Sequence, residues 1–374
     1  MKAEWDAFSW FFIASLLQSF VRLKFGARIV AIPIAGAVVV SGATSSLADE
    51  GGVGFWVPGF FGSLAATPGV PGFSFGNLLY YSQVSAGGNV AFAKQVPLGN
   101  INVNFNGNFN ANVHGSAEPL YLAAPGYTFA TPVLGGQANV SLAIPYGRTE
   151  ASVDATINGN LSLGGPGFTV GRSLTQAISG IGDLSPMASL RWNFGVNNFM
   201  TYLTGNLTTG RYDQTRIANL GLGHNAIDAG GAYTYFDEKT GREFSATLGF
   251  TYNFENEHTN YQNGVDVHLD WGASQFLTKQ WQVGLVGYWY DQLSCDSGSG
   301  NRVGCFKARV AGIGPQIGYV FPISKDWQGY INLKGYGEFA AQNRPDGWNA
   351  WFTFAISPAA PGGEPPPATR GITR

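Results

Sequence analysis

Charge is scarce in this chain. Asp, Glu, Lys and Arg make up 12% of its residues, about half the share of roughly 25% usual in soluble domains, which argues against an ordinary soluble enzyme. Cysteine is nearly absent: two residues cannot build a disulfide scaffold. Beyond the N-terminal leader there is no apolar run of about 18 residues, so a transmembrane helix is not the way this chain would meet a membrane. The 21 Lys and Arg are scattered without a basic face, which excludes nucleic acid as a partner. Catalytic signatures are missing as well. There is no nucleophile elbow, phosphate loop or His-Glu-x-x-His run, and the Gly312, Gly314, Gly318 spacing belongs to a strand with small residues. The reading therefore assigns no enzyme activity, no catalytic residue, no metal and no cofactor.

What is abundant is glycine, with 53 residues, and aromatic side chains, at 14%. Between Ile101 and His114 apolar and polar residues alternate without a break, placing Asn102, Asn104, Asn106, Asn108, Asn110 and Asn112 on one face of a strand. Ala246, Leu248, Phe250 and Tyr252 oppose Ser245, Thr247, Thr251 and Asn253 in the same manner, and Val267, Leu269 and Trp271 oppose Asp266, His268 and Asp270. These runs are close to the roughly 9 to 11 residues a tilted strand needs to cross a bilayer. The apolar face needs a cover, and lipid supplies one. An all-β fold follows: a transmembrane antiparallel up-and-down β-barrel.

Turn spacing gives the expected topology. Short connections at Pro145–Thr149, Asp237–Gly241, Leu277–Gln280 and Pro322–Asp326 alternate with long ones at Gly115–Val133, Gly164–Ser185, Gly210–Asn225 and Ser294–Cys305. Outer-membrane barrels put short turns in the periplasm and long loops outside. Counting from Asn100–His114 yields about twelve strands, with residues 134–144 and 150–163 as separate strands; a further strand over Asn77–Phe92 raises the alternative of fourteen. Trp281, Trp327 and Trp348 stand at run ends, where an interfacial girdle needs them.

The expected organisation has four parts. Residues 1–48 read as a signal peptide, with Arg22, Lys24 and Arg28 before the apolar run Ile29–Val40 and small residues at Ser46-Leu47-Ala48; a membrane-anchored N-terminus is the alternative. Residues 49–95 form an N-terminal plug or a mobile arm. Its Gly- and Pro-rich start is unsuited to a central strand, and Phe55, Trp56, Phe60 and Phe61 are the candidate plug aromatics. Residues 96–357 form the barrel, and 358–374 a disordered Pro- and Gly-rich tail. That tail follows the last strand, where the outer-membrane assembly machinery reads a terminal aromatic.

Alternation nominates the Asn102–Asn112 ladder, Asp266, His268, Asp270, Arg191, Arg309, Lys334 and Glu338 as lumen-lining. A pore lined by both signs passes small polar solutes without strong charge selection. Asp266, His268 and Asp270 can hold a cation or polarise a hydroxyl, or simply form a solvated patch of wall. Cys295 and Cys305 flank an outer loop and are the candidate disulfide.

The chain resembles the outer-membrane protein family grouped under a meta-pathway of phenol degradation, which consists of transporter-like β-barrels. The likeness rests on Gly52-Val53-Gly54-Phe55-Trp56-Val57-Pro58-Gly59, Tyr80-Tyr81, Gly180-Ile181-Gly182-Asp183-Leu184, Gly210-Arg211-Tyr212-Asp213, and Asn256, Tyr261 and Gly264. It continues in Gly287-Tyr288, Gln292 and Gly314-Pro315-Gln316-Ile317-Gly318-Tyr319. The resemblance implies a transporter near aromatic catabolism in the bacterial outer membrane and is silent on substrate. The leading expectation is a passive channel for small hydrophobic or aromatic solutes, with outer-membrane lipid as surroundings. A general diffusion porin is the second reading. A lipid-modifying enzyme built on His268 with Asp266 or Asp270 is the third.

Overall fold

The computed structural model describes residues 54–98, 101–161, 168–301, 304, 305 and 307–359, so the expected signal peptide and all but the start of the expected tail lie outside the described residues. Thirteen strands are present: β1 (Gly72–Leu98), β2 (Ile101–Thr128), β3 (Gln137–Leu161), β4 (Phe168–Ile181), β5 (Ser185–Phe194), β6 (Asn197–Asn206), β7 (Ala226–Asp237), β8 (Arg242–Asn253), β9 (Asp266–Phe276), β10 (Trp281–Gln292), β11 (Arg309–Pro322), β12 (Trp327–Gln342) and β13 (Asp346–Pro358). The sheet order runs β2-β1-β13-β12-β11-β10-β9-β8-β7-β6-β5-β3, and a β2–β3 pairing closes it, leaving β4 as one extra strand on β3. The result is a closed twelve-stranded antiparallel barrel. The chain divides into two compact units. One contains described residues 91–98, 101–108, 158–161, 168 and 169; the other, Leu47–Val90, Phe109–Ile157 and Val170–Arg374, holds the sites discussed below.

The faces of this sheet are inverted relative to a soluble protein. Leu203, Ile227, Phe244, Leu248, Phe250, Leu285, Ile313, Ile317, Leu333 and Phe352 point outward and are 38% to 55% exposed, whereas Asn198, Asp228, Thr234, Ser245, Thr247, Thr251 and Gln282 are fully buried inside. An apolar outer band with a polar interior is stable only where lipid replaces water around it. Trp281, Trp327 and Trp348 are 45%, 40% and 46% exposed, each at or next to a strand end as an interfacial ring should be.

Twelve strands is the expected number, but two are not the expected ones. The turn read at Pro145–Thr149 does not exist, because β3 runs straight through it. Its pairing with β5 ends at Ala143↔Ser185, and the Pro145 carbonyl then accepts the Gly182 amide, so proline sits where β3 changes neighbours and its missing N–H costs little. Gly147 marks a close approach rather than a turn: a Cβ there would lie 2.7 Å from the Pro119 carbonyl. The stretch 164–185 read as a loop contains β4, and 115–133, also read as a loop, is mostly the end of β2. Residues 72–98, most of them within the 49–95 stretch assigned to the plug or arm, form β1, which covers the strand that the fourteen-strand alternative put at Asn77–Phe92; its register with β13 runs from Phe75↔Ile356 to Ser85↔Asp346.

Candidate functional site

Residues 54–71 precede β1 and lie against the inner wall. Pro58, Pro68 and Pro71 with Gly54, Gly59 and Gly62 prevent a strand, leaving isolated turns such as Phe60 N–H to Val57 C=O at 3.3 Å and Thr67 N–H to Leu64 C=O at 3.1 Å. Backbone groups without a ladder need other partners once buried. Side chains of the wall supply them. Both Asp270 oxygens accept backbone amides, from Gly59 at 2.9 Å and Phe61 at 3.1 Å. Lys334 Nζ donates to the carbonyls of Gly59, Phe60 and Phe61 at 2.7, 3.2 and 3.3 Å. One anion and one cation, on β9 and β12, thus grip the same three residues. Further along, Leu64 N–H reaches Glu243 at 2.9 Å, Ala66 N–H reaches Thr234 at 3.0 Å, and Gly69 exchanges two hydrogen bonds of 2.8 Å with the Gln137 side chain. Gly59 adopts φ 84°, and a Cβ there would also strike the Tyr336 ring at 2.9 Å, so this position admits glycine alone.

Aromatic packing completes the hold. Trp56 is 5% exposed and lies flat on His268, ring centroids 3.7 Å apart with an interplanar angle of 11°. It also meets Phe60, Phe61 and Tyr202 at 5.8, 5.6 and 6.3 Å. Phe60 continues the contact to Trp351 on β13 at 6.1 Å, and Lys334 lies 5.5 Å over that indole. Phe55 is half-buried.

Beneath Trp56 the wall forms a compact polar group. His268 Nε2 is 2.9 Å from Asp228 Oδ2 and 3.4 Å from the Tyr202 hydroxyl, and Thr251 donates to the same Asp228 oxygen at 2.5 Å. Tyr202 on β6 and His268 on β9 meet across two intervening strands because the paired residues Gly230 and Gly249 carry no side chain: a Cβ on Gly249 would lie 2.1 Å from the Tyr202 oxygen and 2.5 Å from the imidazole.

The residues nominated by alternation fare differently. Asp270 and Lys334 bind the inner segment, as described. Asp266 is buried and accepts from Asn253 at 2.9 Å; with His268 turned toward Asp228, the three side chains of Asp266, His268 and Asp270 serve separate partners, as positions some 6.6 Å apart along a strand allow. The described residues contain no group of three ligands able to hold a metal. Arg191 is half-buried and donates to Ser189 at 2.9 Å, while Glu338 accepts from Tyr288 at 2.7 Å and from the Gly347 amide at 2.9 Å. Asn102, Asn104, Asn106, Asn108 and Asn110 lie on β2 where side chains are outside the description, and Asn112 is exposed. Arg309 is a correction: it sits on the outer face, exposed, 3.5 Å from Asp291, because the inward positions of β11 are Val310, Gly312 and Gln316, with Gly312 making room for the Tyr288 ring. Cys295 and Cys305 are joined by a disulfide. The sequence reading overlooked Tyr202, Asp228, Glu243 and Gln316, although period-2 alternation along β6, β7, β8 and β11 puts each on the buried face.

The model of a family described as MetA-pathway of phenol degradation matches residues 122–354. The chain belongs to this family. The match to the phenol-degradation family begins within β2, so the inner segment and β1 lie upstream of it. No curated protein matches by sequence. Among solved structures, an outer membrane channel from Pseudomonas putida F1 is similar over 78% of this chain and 98% of its own, at 12% identity and TM-score 0.52. A FadL homologue of Pseudomonas aeruginosa aligns over 84% of this chain and 97% of its own, at 10% identity and TM-score 0.39. At these identities the likeness concerns the fold, that of outer-membrane barrels.

Proposed function

We propose that this protein is a channel of the bacterial outer membrane through which small hydrophobic or aromatic compounds pass passively, with residues 54–71 as its plug. The observation that carries the reading is the row of rings inside the barrel, Trp56, Phe60 and Phe61 on a segment held by side chains, meeting Tyr202 and Trp351 on the wall. Family membership and the barrel's likeness to an outer membrane channel support it. The buried Asn198, Thr234, Ser245 and Thr247 support the second reading, a general diffusion porin, since such a wall also suits hydrated solutes. The lipid-modifying enzyme is the weakest of the three, because His268 Nε2 faces Asp228 and Tyr202, and no serine bonds to it among the described residues.

Liposomes carrying the refolded full chain test this. Uptake of an aryl glycoside is compared with that of a sugar of similar mass, both held back by bare lipid. Faster uptake of the aromatic, lost or altered on deleting residues 54–71, supports the plugged channel. Rates set by size alone indicate the porin, and no uptake of either solute refutes transport.

A further inference from the structure

We infer that the space filled by the Trp56 ring is a ligand subsite, occupied by the chain's own indole until a flat aromatic molecule bearing a hydrogen-bond donor, neutral or cationic, displaces it. The inference deepens the channel reading and rests on it. Four observations converge on the site. The ring lies flat on the imidazole and is buried in one cluster with Tyr202, Phe61, Met200 and Ala232, surroundings suited to a planar guest. Trp56 is nevertheless an imperfect occupant, because its buried Nε1–H has no acceptor among the described residues. The wall beneath the ring holds an acceptor without a donor, Oδ1 of the fully buried Asp228 that pairs with His268, so a guest with a suitably placed hydroxyl or amine satisfies a group the indole leaves open. Finally, the segment carrying Trp56 has no strand pairing, so lifting the ring out breaks no ladder.

Charge sets the class of guest. Asp228, Asp266 and Asp270 lie around His268, and the cation three strands away on β12, Lys334, is already taken by three carbonyls of the inner segment. A carboxylate brought to this place meets like charge in a water-poor interior, where repulsion is strong. Aromatic alcohols and amines fit, and aromatic acids are rejected.

The test is chemical rescue in the full-length chain. Trp56→Gly removes the occupant, and the refolded yield and thermal midpoint in detergent are read with indole, tryptamine or indole-3-acetate added. Indole and tryptamine are expected to restore both readouts saturably, by several degrees at the midpoint, with indole-3-acetate inactive. Wild type and Trp56→Phe, in which the guest must first displace a ring, are expected to shift less and only at higher indole concentration, and His268→Ala added to Trp56→Gly is expected to abolish the rescue. If Trp56→Gly does not fold unaided, recovery of folded protein with indole is the same readout, and no recovery overturns the proposal. Equal shifts in wild type and variant, or equal rescue by the acid, overturn it as well. Because rescue requires no transport, a channel that binds indole yet passes no solute would sink the channel reading and spare the subsite.

Discussion

Replacing Asp270 by Asn alters two atoms' worth of chemistry at the point where the inner segment is gripped hardest. The carboxylate accepts the Gly59 and Phe61 amides, one on each oxygen. An amide side chain keeps one acceptor and turns a donor toward the other N–H, so one charged hydrogen bond weakens to a neutral one and the second becomes an unpaired buried donor. With hydrogen bonds to charged groups at about 1.5 to 3 kcal/mol and neutral ones near 1, the net loss is about 2 to 4 kcal/mol. The strand ladder of β9 with β8 and β10 is untouched. The loss therefore falls on the docking of residues 54–71 and not on the barrel. Amide hydrogen exchange resolves the two: at about 1.4 kcal/mol per decade, Gly59 and Phe61 in the Asp270→Asn chain should exchange about 30- to 700-fold faster than in wild type. Amides of β9 keep their protection, and the thermal midpoint moves little. Lys334→Met should produce a similar local release, and the two changes together less than the sum, because they act on the same turn. Unchanged exchange at Gly59 and Phe61, or a barrel that loses protection along with them, refutes the argument.

Further outcomes follow from other contacts. Gly249→Ala drives a methyl into the Tyr202 hydroxyl and the His268 ring and should destabilise the barrel by about 1 to 3 kcal/mol; adding Tyr202→Phe should recover part of this in thermal melts, and failure to do so contradicts the packing described. Leu285→Lys places a charge on the outer apolar band and should cost about 2 to 4 kcal/mol if that position is near the bilayer midplane, read by denaturant-dependent folding into vesicles. Opening the Cys295–Cys305 disulfide releases a closed loop of ten-residue separation, about 3 kcal/mol in the chain-entropy model; exchange should rise at Asp296–Asn301 on reduction while β10 stays protected. The carboxyl of Asp237 in the β7–β8 turn is held below the ordinary carboxylate range by the Thr240 hydroxyl and then the Lys239 amide. A lowered folded value means its contribution is present above the unfolded value near 3.9 and is lost as pH falls through the folded one, so nuclear magnetic resonance shifts of Thr240 should stay constant above pH 5 and move below pH 4.

The barrel was legible because lipid enforces a strict rule: every spanning strand shows one apolar and one polar face, and from β5 to β13 the alternation located each strand to within a few residues. It failed where that rule stops applying. β1 to β3 are 25 to 28 residues long, far more than a bilayer requires, and a reader expecting membrane-length runs cuts them at the first Pro or Gly, as at Pro145 and Gly115. Two such errors cancelled: dividing β3 added a strand, and leaving the Asn77–Phe92 strand to the alternative of fourteen took β1 out of the twelve, so the count came out right. Of the site, Trp56, His268, Asp270 and Lys334 were visible as residue types, yet no periodicity reveals that Asp270 and Lys334 serve the backbone of a segment more than two hundred residues away in sequence. Arg309 was misplaced because its charge suggested the lumen, whereas its parity with Ile313 and Ile317 puts it on the outer face, at the strand's start, beside Asp291.

In the wall of a closed barrel every strand's own backbone is already paired, so inward side chains are free to serve other groups. Here they serve the inner segment. A segment folded as a helix or hairpin would satisfy itself and need little from its surroundings, but residues 54–71 cannot, and depend on Asp270, Glu243, Thr234, Gln137 and Lys334 for what secondary structure would have given. Each of those groups is equally well served by water. In a dry lumen the segment is held firmly, because the alternative is a row of unpaired buried groups. Once solutes or water reach the wall, the exchange is nearly even, and the grip weakens without any strand being broken. An inner segment tied by side chains is therefore one whose hold depends on how wet the lumen is, and its aromatic rings, which water does not replace, become the larger part of what keeps it in place.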